Sequence, residues 1–204
     1  MAKYRIGYID ESPEDVRAFQ RYASNHFEVV PIDPKGDIEE MITDIFDSKV
    51  RALIVDFDLS EHNNTVHYSG ADLVELMHSK VENFPIFILT SYAEDAENKG
   101  DDVNIVYEKT LMFEKDERFL NRIKIQIEKF EFKINEKEEK LLSLLNKQNL
   151  DENEETEIIK LNFEIEKTLD KLNAKPLVQF TPTNEARLKS LIEKVDNLIN
   201  KIKK

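Results

Sequence analysis

The sequence predicts an α/β domain built on a parallel sheet, followed by a separate all-helical segment. Three observations predict it. Short apolar runs alternate with stretches of helical period through the first half of the chain, the pattern of a parallel sheet with helices on both faces. Several of those runs stop abruptly at polar residues, most sharply in RALIVDFDLS at 51–60, where a branched apolar strand gives way to Asp56 and Asp58. From Asp116 onward strand-like runs cease, and apolar residues recur every three or four positions.

The elements follow in order. YRIGYI at 4–9 is the first strand and ends in Asp10 and Glu11. Ser12 then caps a helix, with Pro13 in its first turn, Asp15 as capping-box partner, and Val16, Phe19, Tyr22 and Ala23 as its buried stripe. FEVVPI at 27–32 is the second strand, and Pro31 places it at an edge or makes it fray. Asp37 with Glu40 caps the next helix, whose stripe is Ile38, Met41, Ile42, Ile45 and Phe46. The third strand, 53–56, is so apolar that it belongs at the buried centre of the sheet. A polar loop, EHNNTVHYSG, is longer than most strand-to-helix connections. It leads to a helix at 71–81 that buries Leu73, Val74, Leu76 and Met77. Strand four, 85–89, ends in Thr90 and Ser91. The acidic stretch AEDAENKGDD has room for a turn or two of helix, and strand five, 103–107, ends in Glu108, Lys109 and Thr110.

Beyond Asp116, Leu120, Ile123, Ile127, Phe130, Ile134, Lys137, Leu141 and Leu144 form an a/d heptad stripe with one lysine in the seam. Residues 149–155 break it, with Asp151 and Glu154 as a new capping box. A second amphipathic helix carries Ile158, Leu161, Ile165 and Leu172, and Pro176 marks a connection. Thr181 and Pro182 open a third helix, with Leu188, Leu191, Val195, Leu198 and Ile202 as its stripe. Such stripes need a partner, so the helices either pack as an antiparallel bundle within one chain or form a coiled coil in a homodimer.

Composition narrows the function. The chain has 204 residues, a net charge of -13 and 35% charged residues, an acidity that argues against a nucleic-acid binder and suits a protein that meets other proteins. Without cysteine there is no disulfide, thiolate zinc site or cysteine nucleophile, and only 4 glycines leave little room for a Gly-rich phosphate loop. No apolar run reaches membrane-spanning length and MAKYRIGYID lacks a signal-peptide core, so the expected location is the cytoplasm.

In a parallel sheet all strand C-termini meet on one edge, where open α/β sheets place their ligands. That edge collects Asp10 and Glu11, Asp56 and Asp58, Thr90, and Lys109. Clustered carboxylates repel and call for a divalent cation or raised pKa values, and an oxygen-only ligand set suits Mg²⁺. A cation, an ammonium and a hydroxyl around a carboxylate fit transfer of a phosphoryl group to that carboxylate.

With IDES at the first strand, IVDFDLS at the third, ILTS at the fourth and YEKT at the fifth, residues from about 3 to 130 resemble a response-regulator receiver domain of two-component signalling. The resemblance implies a five-stranded flavodoxin-like sheet in the order 2-1-3-4-5, a receiver over 1–130, and a helical extension over 131–204 whose first helix continues the last receiver helix. It makes Asp56 the phosphoacceptor and a Mg²⁺ ligand, with Asp10 and Glu11 as the acidic pair. It gives Asp58 a backbone carbonyl on the metal, and has Thr90 and Lys109 bind the phosphoryl oxygens. The implied donor is a sensor histidine kinase or phosphotransfer protein. The chain would catalyse only its own phosphotransfer and dephosphorylation.

The sequence also departs from that family. Glu11 stands where aspartate is usual, Thr110 replaces the proline after the lysine, and Val106 occupies the usual aromatic switch position, with Tyr107 one residue off. The changes at Val106 and Thr110 touch the face that transmits phosphorylation, and Asp56, Thr90 and Lys109 stay in place. Asp56-Phe57-Asp58 also fits the signature of haloacid dehalogenase-like phosphatases, but there the nucleophile strand comes first and the acidic pair last, the reverse of this chain. Retention of Asp56, Thr90 and Lys109 together argues against a receiver that has abandoned phosphate and serves as an adaptor. His62 and His67 have no further His or Cys nearby and read as loop residues, and the terminal KIKK reads as a helix end. The extension shows no helix-turn-helix, and the four histidines all precede residue 80, so it is not a His-centred phosphotransfer domain. Its expected role is protein–protein interaction with an output partner; the alternative is a phosphate sink that competes with another regulator.

Overall fold

Strands β1 (Tyr4–Ile9), β2 (Phe27–Ile32), β3 (Ala52–Val55), β4 (Ile86–Thr90) and β5 (Val106–Glu108) pair in parallel, in the order β2-β1-β3-β4-β5. This is the flavodoxin-like order, with helices in the connections. The computed structural model of the chain describes residues 3–60, 64–91, 105–147 and 149–171. The strand start expected at 103, His62, the acidic stretch at 93–102, the third helix of the extension and the terminal KIKK lie outside the described residues.

β3 is buried at all four positions, as its unbroken apolar run requires of a central strand. β2 is an edge strand, which is why Pro31, opposite Tyr8, is tolerated without a backbone N–H to give to the ladder. β4 runs one residue beyond the expected end, because Thr90 still pairs with Glu108 in the β4–β5 ladder.

Helix α1 (Pro13–Ala23) begins as expected, with Ser12 Oγ accepting from the Asp15 amide at 3.3 Å. The expected return bond from Asp15 is not made; its carboxylate is held by Lys109 instead. Asp37 caps α2 (Ile38–Asp47) by accepting from the amides of Glu39 and Glu40. α3 (Gly70–Lys80) starts one residue earlier than its apolar spacing predicts. Ser69 and Asp72 form a reciprocal capping box that fixes the start, and Val81, in extended conformation, ends it. Thr110 opens a short helix, α4 (Thr110–Glu114), directly after Lys109, and no described residue follows a cis peptide bond.

Strand alternation assigns the two sheet faces. Ile6 and Tyr8, Ala52 and Ile54, Phe87 and Leu89 join Phe19, Ala23, Phe119, Leu120, Ile123 and Ile127 in one core, so α1 and the start of α5 (Glu117–Leu145) cover that face. The alternate residues Ile9, Leu53, Val55, Ile86 and Ile88 are buried on the other face, left for α2 and α3.

The structure divides into two compact units between Phe132 and Lys133, and α5 runs unbroken through that point. The heptad stripe is therefore shared between two cores. Phe119, Leu120, Ile123 and Ile127 belong to the sheet core, at roughly 2 kcal/mol of burial each. In the second unit, the later part of α5 lies antiparallel to α6 (Glu152–Lys171), which belongs to that unit as far as Leu169. Lys137 pairs with Glu164 at 2.9 Å, Lys140 with Glu157, and Lys147 with Glu154. Leu141, Leu144 and Leu145 on α5 are buried in this unit, as are Ile158, Leu161 and Ile165 on α6. The seam lysine of the heptad thus has its partner on α6 of the same chain. The Asp151–Glu154 capping box forms as expected. No helix of the described residues is long and apolar enough to cross a membrane.

Candidate functional site

The sheet ladder brings the site together. Ile9 pairs with Val55 and Val55 with Ile88, so the residues that follow β1 and β3 emerge side by side beside the end of β4. The ladder continues one bond beyond the strands: the Asp56 amide donates to Ile9 O at 2.8 Å, and the Lys109 amide to Thr90 O at 3.0 Å. Asp10, Asp56, Thr90 and Lys109 are the buried polar residues at this edge, each under 10% exposed.

Lys109 is the centre of the cluster. Its Nζ donates to Asp56 Oδ2 at 2.9 Å and Asp15 Oδ2 at 2.7 Å and is ion-paired with Asp10 Oδ2 at 2.8 Å, so three carboxylates surround one ammonium. Burial alone would lower the lysine's pKa, but Asp56, Asp10 and Asp15 together outweigh it and hold Lys109 well above its ordinary value. Asp56 is raised above the ordinary aspartate range by burial, against the pull of Lys109. Its Oδ1 accepts from the Phe57 amide at 2.7 Å, which fixes the carboxylate plane with Oδ2 toward Lys109.

Asp10 is clamped from both sides. Oδ1 accepts from the Ser12 amide at 2.8 Å, and Oδ2 accepts from the Tyr8 hydroxyl at 2.7 Å. Tyr8 is fully buried and stacked on Phe19, with ring centroids 4.3 Å apart. Burial, reinforced by the Asp10 charge, raises its phenol well above the usual value, so it stays a donor.

Carboxylate oxygens of Asp10, Glu11 and Asp56 lie within 4.8 Å of one another. Three hard oxygen donors at this spacing, with no His or Cys among them, fit Mg²⁺. Asp58 contributes no carboxylate to that trio: its Oδ1 accepts from both the amide and the hydroxyl of Ser60. His67 is exposed in the loop.

Glu11 is pushed up to about 7, chiefly by burial and further by Asp10 and Asp56, with a backbone hydrogen bond and Lys109 opposing. Its value is raised on folding from 4.5, so the folded protein keeps a proton that the unfolded chain releases between those two pH values. The stability this group contributes is complete below about 4.5 and is lost as pH rises to about 7. In chelator-treated protein, thermal stability is expected to fall across that window, and Glu11→Gln is expected to flatten the slope. An equal slope in both proteins would assign the effect to another group.

The sequence places Asp10, Glu11, Asp56, Thr90 and Lys109 at the ends of parallel strands, and the structure brings all five to one edge. Three further site residues lie outside that pattern. The spacing gives Asp15 to a capping box, and it binds Lys109 instead. Tyr8 reads only as a strand residue, although a period of two puts its side chain on the same side as Asp10. Gly70 reads as a loop residue in the sequence, yet its amide donates to Phe57 O at 2.8 Å and its α-carbon lies against the backbone of Asp56. Tyr107, one position from the expected switch site, packs on Phe119 at 4.7 Å and accepts a hydrogen bond from Arg122.

No family model matches the sequence, and no curated protein does. Solved structures of similar shape include the response regulator RcsB of Salmonella typhimurium, at 14% identity and a TM-score of 0.47, covering 86% of this chain and 95% of that one. A structure of RcsB with DNA is similar at 12% identity and a TM-score of 0.43, covering 93% and 99%. The anti-anti-sigma factor PhyR from Bartonella quintana is similar at 14% identity and a TM-score of 0.45, covering 67% of this chain and 51% of its own, about half its length. Likenesses this distant carry no conclusion about function, which rests on the side chains.

Proposed function

We propose that this chain is a response regulator whose receiver domain accepts a phosphoryl group on Asp56 from a histidine kinase or phosphotransfer protein. The observation that carries this reading is the Lys109 ammonium, 2.9 Å from Asp56 Oδ2 and 2.8 Å from Asp10 Oδ2, beside the trio of Asp10, Glu11 and Asp56 carboxylates.

Asp10, Glu11 and Asp56, with the backbone carbonyl of Asp58, would hold Mg²⁺, which supplies positive charge to the oxygens of the transferring group. The remaining work falls to the chain's own residues. An Asp56 carboxylate oxygen forms the new O–P bond as the donor's N–P bond breaks, and the donor imidazole leaves with the bonding pair. The Phe57 amide keeps the carboxylate oriented. Lys109 turns an N–H from Asp56 to a phosphoryl oxygen and stabilises charge there, and the Thr90 hydroxyl takes a second phosphoryl oxygen. Incubation with Mg²⁺ and a small-molecule phosphodonor is expected to add one phosphoryl group by intact mass, and Asp56→Asn is expected to abolish it. Unchanged incorporation in Asp56→Asn would refute the site.

The output is proposed to be protein–protein interaction through the helical extension. Supporting this, α5 is one helix whose first half is buried in the sheet core and whose last turns carry Leu141, Leu144 and Leu145 in the second unit. Phosphorylation that alters the packing of Leu120, Ile123 and Ile127 changes partner binding or dimerisation through that helix. Partner affinity or assembly state is expected to differ with and without a beryllofluoride phosphate mimic; identical behaviour in both states contradicts a switch.

A further inference from the structure

We infer that Asp15 is a positioning residue for Lys109, anchoring its ammonium from helix α1 while the lysine's other contacts change during phosphotransfer. This rests on the phosphoacceptor reading of Asp56 and adds a residue that reading does not contain.

The geometry separates Asp15 from the other two carboxylates on Lys109. Asp10 and Asp56 are at strand ends and belong to the trio that suits a divalent cation. Asp15 is in the first turn of α1, outside that trio, and its carboxylate accepts from Lys109 Nζ at 2.7 Å. Ser12 carries the α1 cap by accepting from the Asp15 amide, which leaves the Asp15 carboxylate to face the lysine.

Lys109 donates to Asp15 and Asp56 and is ion-paired with Asp10, so three carboxylates share one ammonium. When Asp10 and Asp56 engage a metal and a phosphoryl group, two of those three contacts lose or share their acceptor. The Asp15 contact can persist unchanged, and it holds Nζ within reach of the transferring group. An ammonium on a rotatable four-carbon stem can turn between acceptors, so a retained charge-assisted bond biases where it points.

Two measurements test this. At saturating Mg²⁺, Asp15→Asn is expected to slow phosphorylation of Asp56 by about tenfold or more, the scale of one charge-assisted hydrogen bond. Its Mg²⁺ half-saturation point should move less than the rate does, whereas Asp10→Asn should shift it strongly. Asp15→Glu, which restores the charge, should recover part of the rate. A wild-type rate in Asp15→Asn, or a shift confined to Mg²⁺ affinity, overturns the proposal. The second measurement needs no phosphotransfer: in Mg²⁺-saturated protein labelled with ¹⁵N-lysine, where the metal draws on Asp10 and Asp56, the Lys109 ammonium protons should exchange slowly in the wild type and fast in Asp15→Asn. Equal exchange in the two proteins overturns the anchoring role. If the wild type takes no phosphoryl group at all, it is the phosphoacceptor reading that fails, and the ammonium exchange alone decides Asp15.

Discussion

Replacing Gly70 with alanine is expected to lower the melting temperature by roughly 10 °C and to cripple phosphorylation of Asp56. A Cβ at this position would stand 2.1 Å from the Asp56 carbonyl oxygen, 3.0 Å from its carbonyl carbon and 3.2 Å from the Phe57 α-carbon. All three are backbone atoms of the segment that carries the acceptor, so no side chain can swing aside to make room. Either α3 moves away and breaks the bond from the Gly70 amide to Phe57 O, or the Asp56 peptide rotates. The first costs about 3 kcal/mol, at the upper end of ordinary overpacking. The second also displaces the Asp58 carbonyl proposed for the metal. Gly7→Ala is the control: its added Cβ meets only side-chain methyls of Leu53, Ile32 and Val50, the nearest at 2.9 Å. Its cost should be smaller, and phosphorylation should survive. Equal melting losses in the two variants would mean that backbone approach at Gly70 has no special weight.

Lys109→Met is expected to slow phosphotransfer by roughly a hundredfold or more, the range for removing one preorganised donor from a site of charge development. Methionine keeps most of the stem's volume but withdraws the cation that Asp10, Asp15 and Asp56 share. Without it, Asp10 and Asp56 are buried carboxylates facing each other, and the metal-free protein should lose about 3 kcal/mol near pH 8. The loss should shrink toward pH 5 as carboxylates in the pocket take up protons, and Mg²⁺ should restore part of it by replacing the missing charge. Chemical denaturation with and without Mg²⁺ at both pH values checks the pattern. A loss that is the same at both pH values would point to lost packing rather than lost charge.

How much of this was legible in the sequence depended on where each signal came from. Strand ends are local: an apolar run that stops at Asp10, Asp56, Thr90 or Lys109 announces a residue at the sheet edge, and parallel topology does the rest. Asp15 was hidden by an equally good local explanation. An acidic residue three positions after a serine cap is the usual capping-box partner, and nothing nearby shows that Lys109, 94 residues later, will claim it. Gly70 was hidden for a related reason, since the close approach it permits is to a backbone that its own neighbourhood does not reveal. The heptad stripe on α5 was visible, but its division was not. A leucine at an a or d position looks the same whether it meets a sheet, as Leu120 does, or serves a helical hairpin, as Leu144 does.

The most direct test of the phosphoacceptor assignment is chemical. Protein incubated with Mg²⁺ and a small phosphodonor is treated with borohydride, which reduces an acyl phosphate to an alcohol and so converts phosphoaspartate to homoserine, and the position is read by peptide mass spectrometry. Homoserine at position 56, absent when Mg²⁺ or the donor is withheld, is the predicted result. Homoserine at Asp10 or Asp58 in place of 56, or a phosphoryl group found on His67 or a serine, would contradict it.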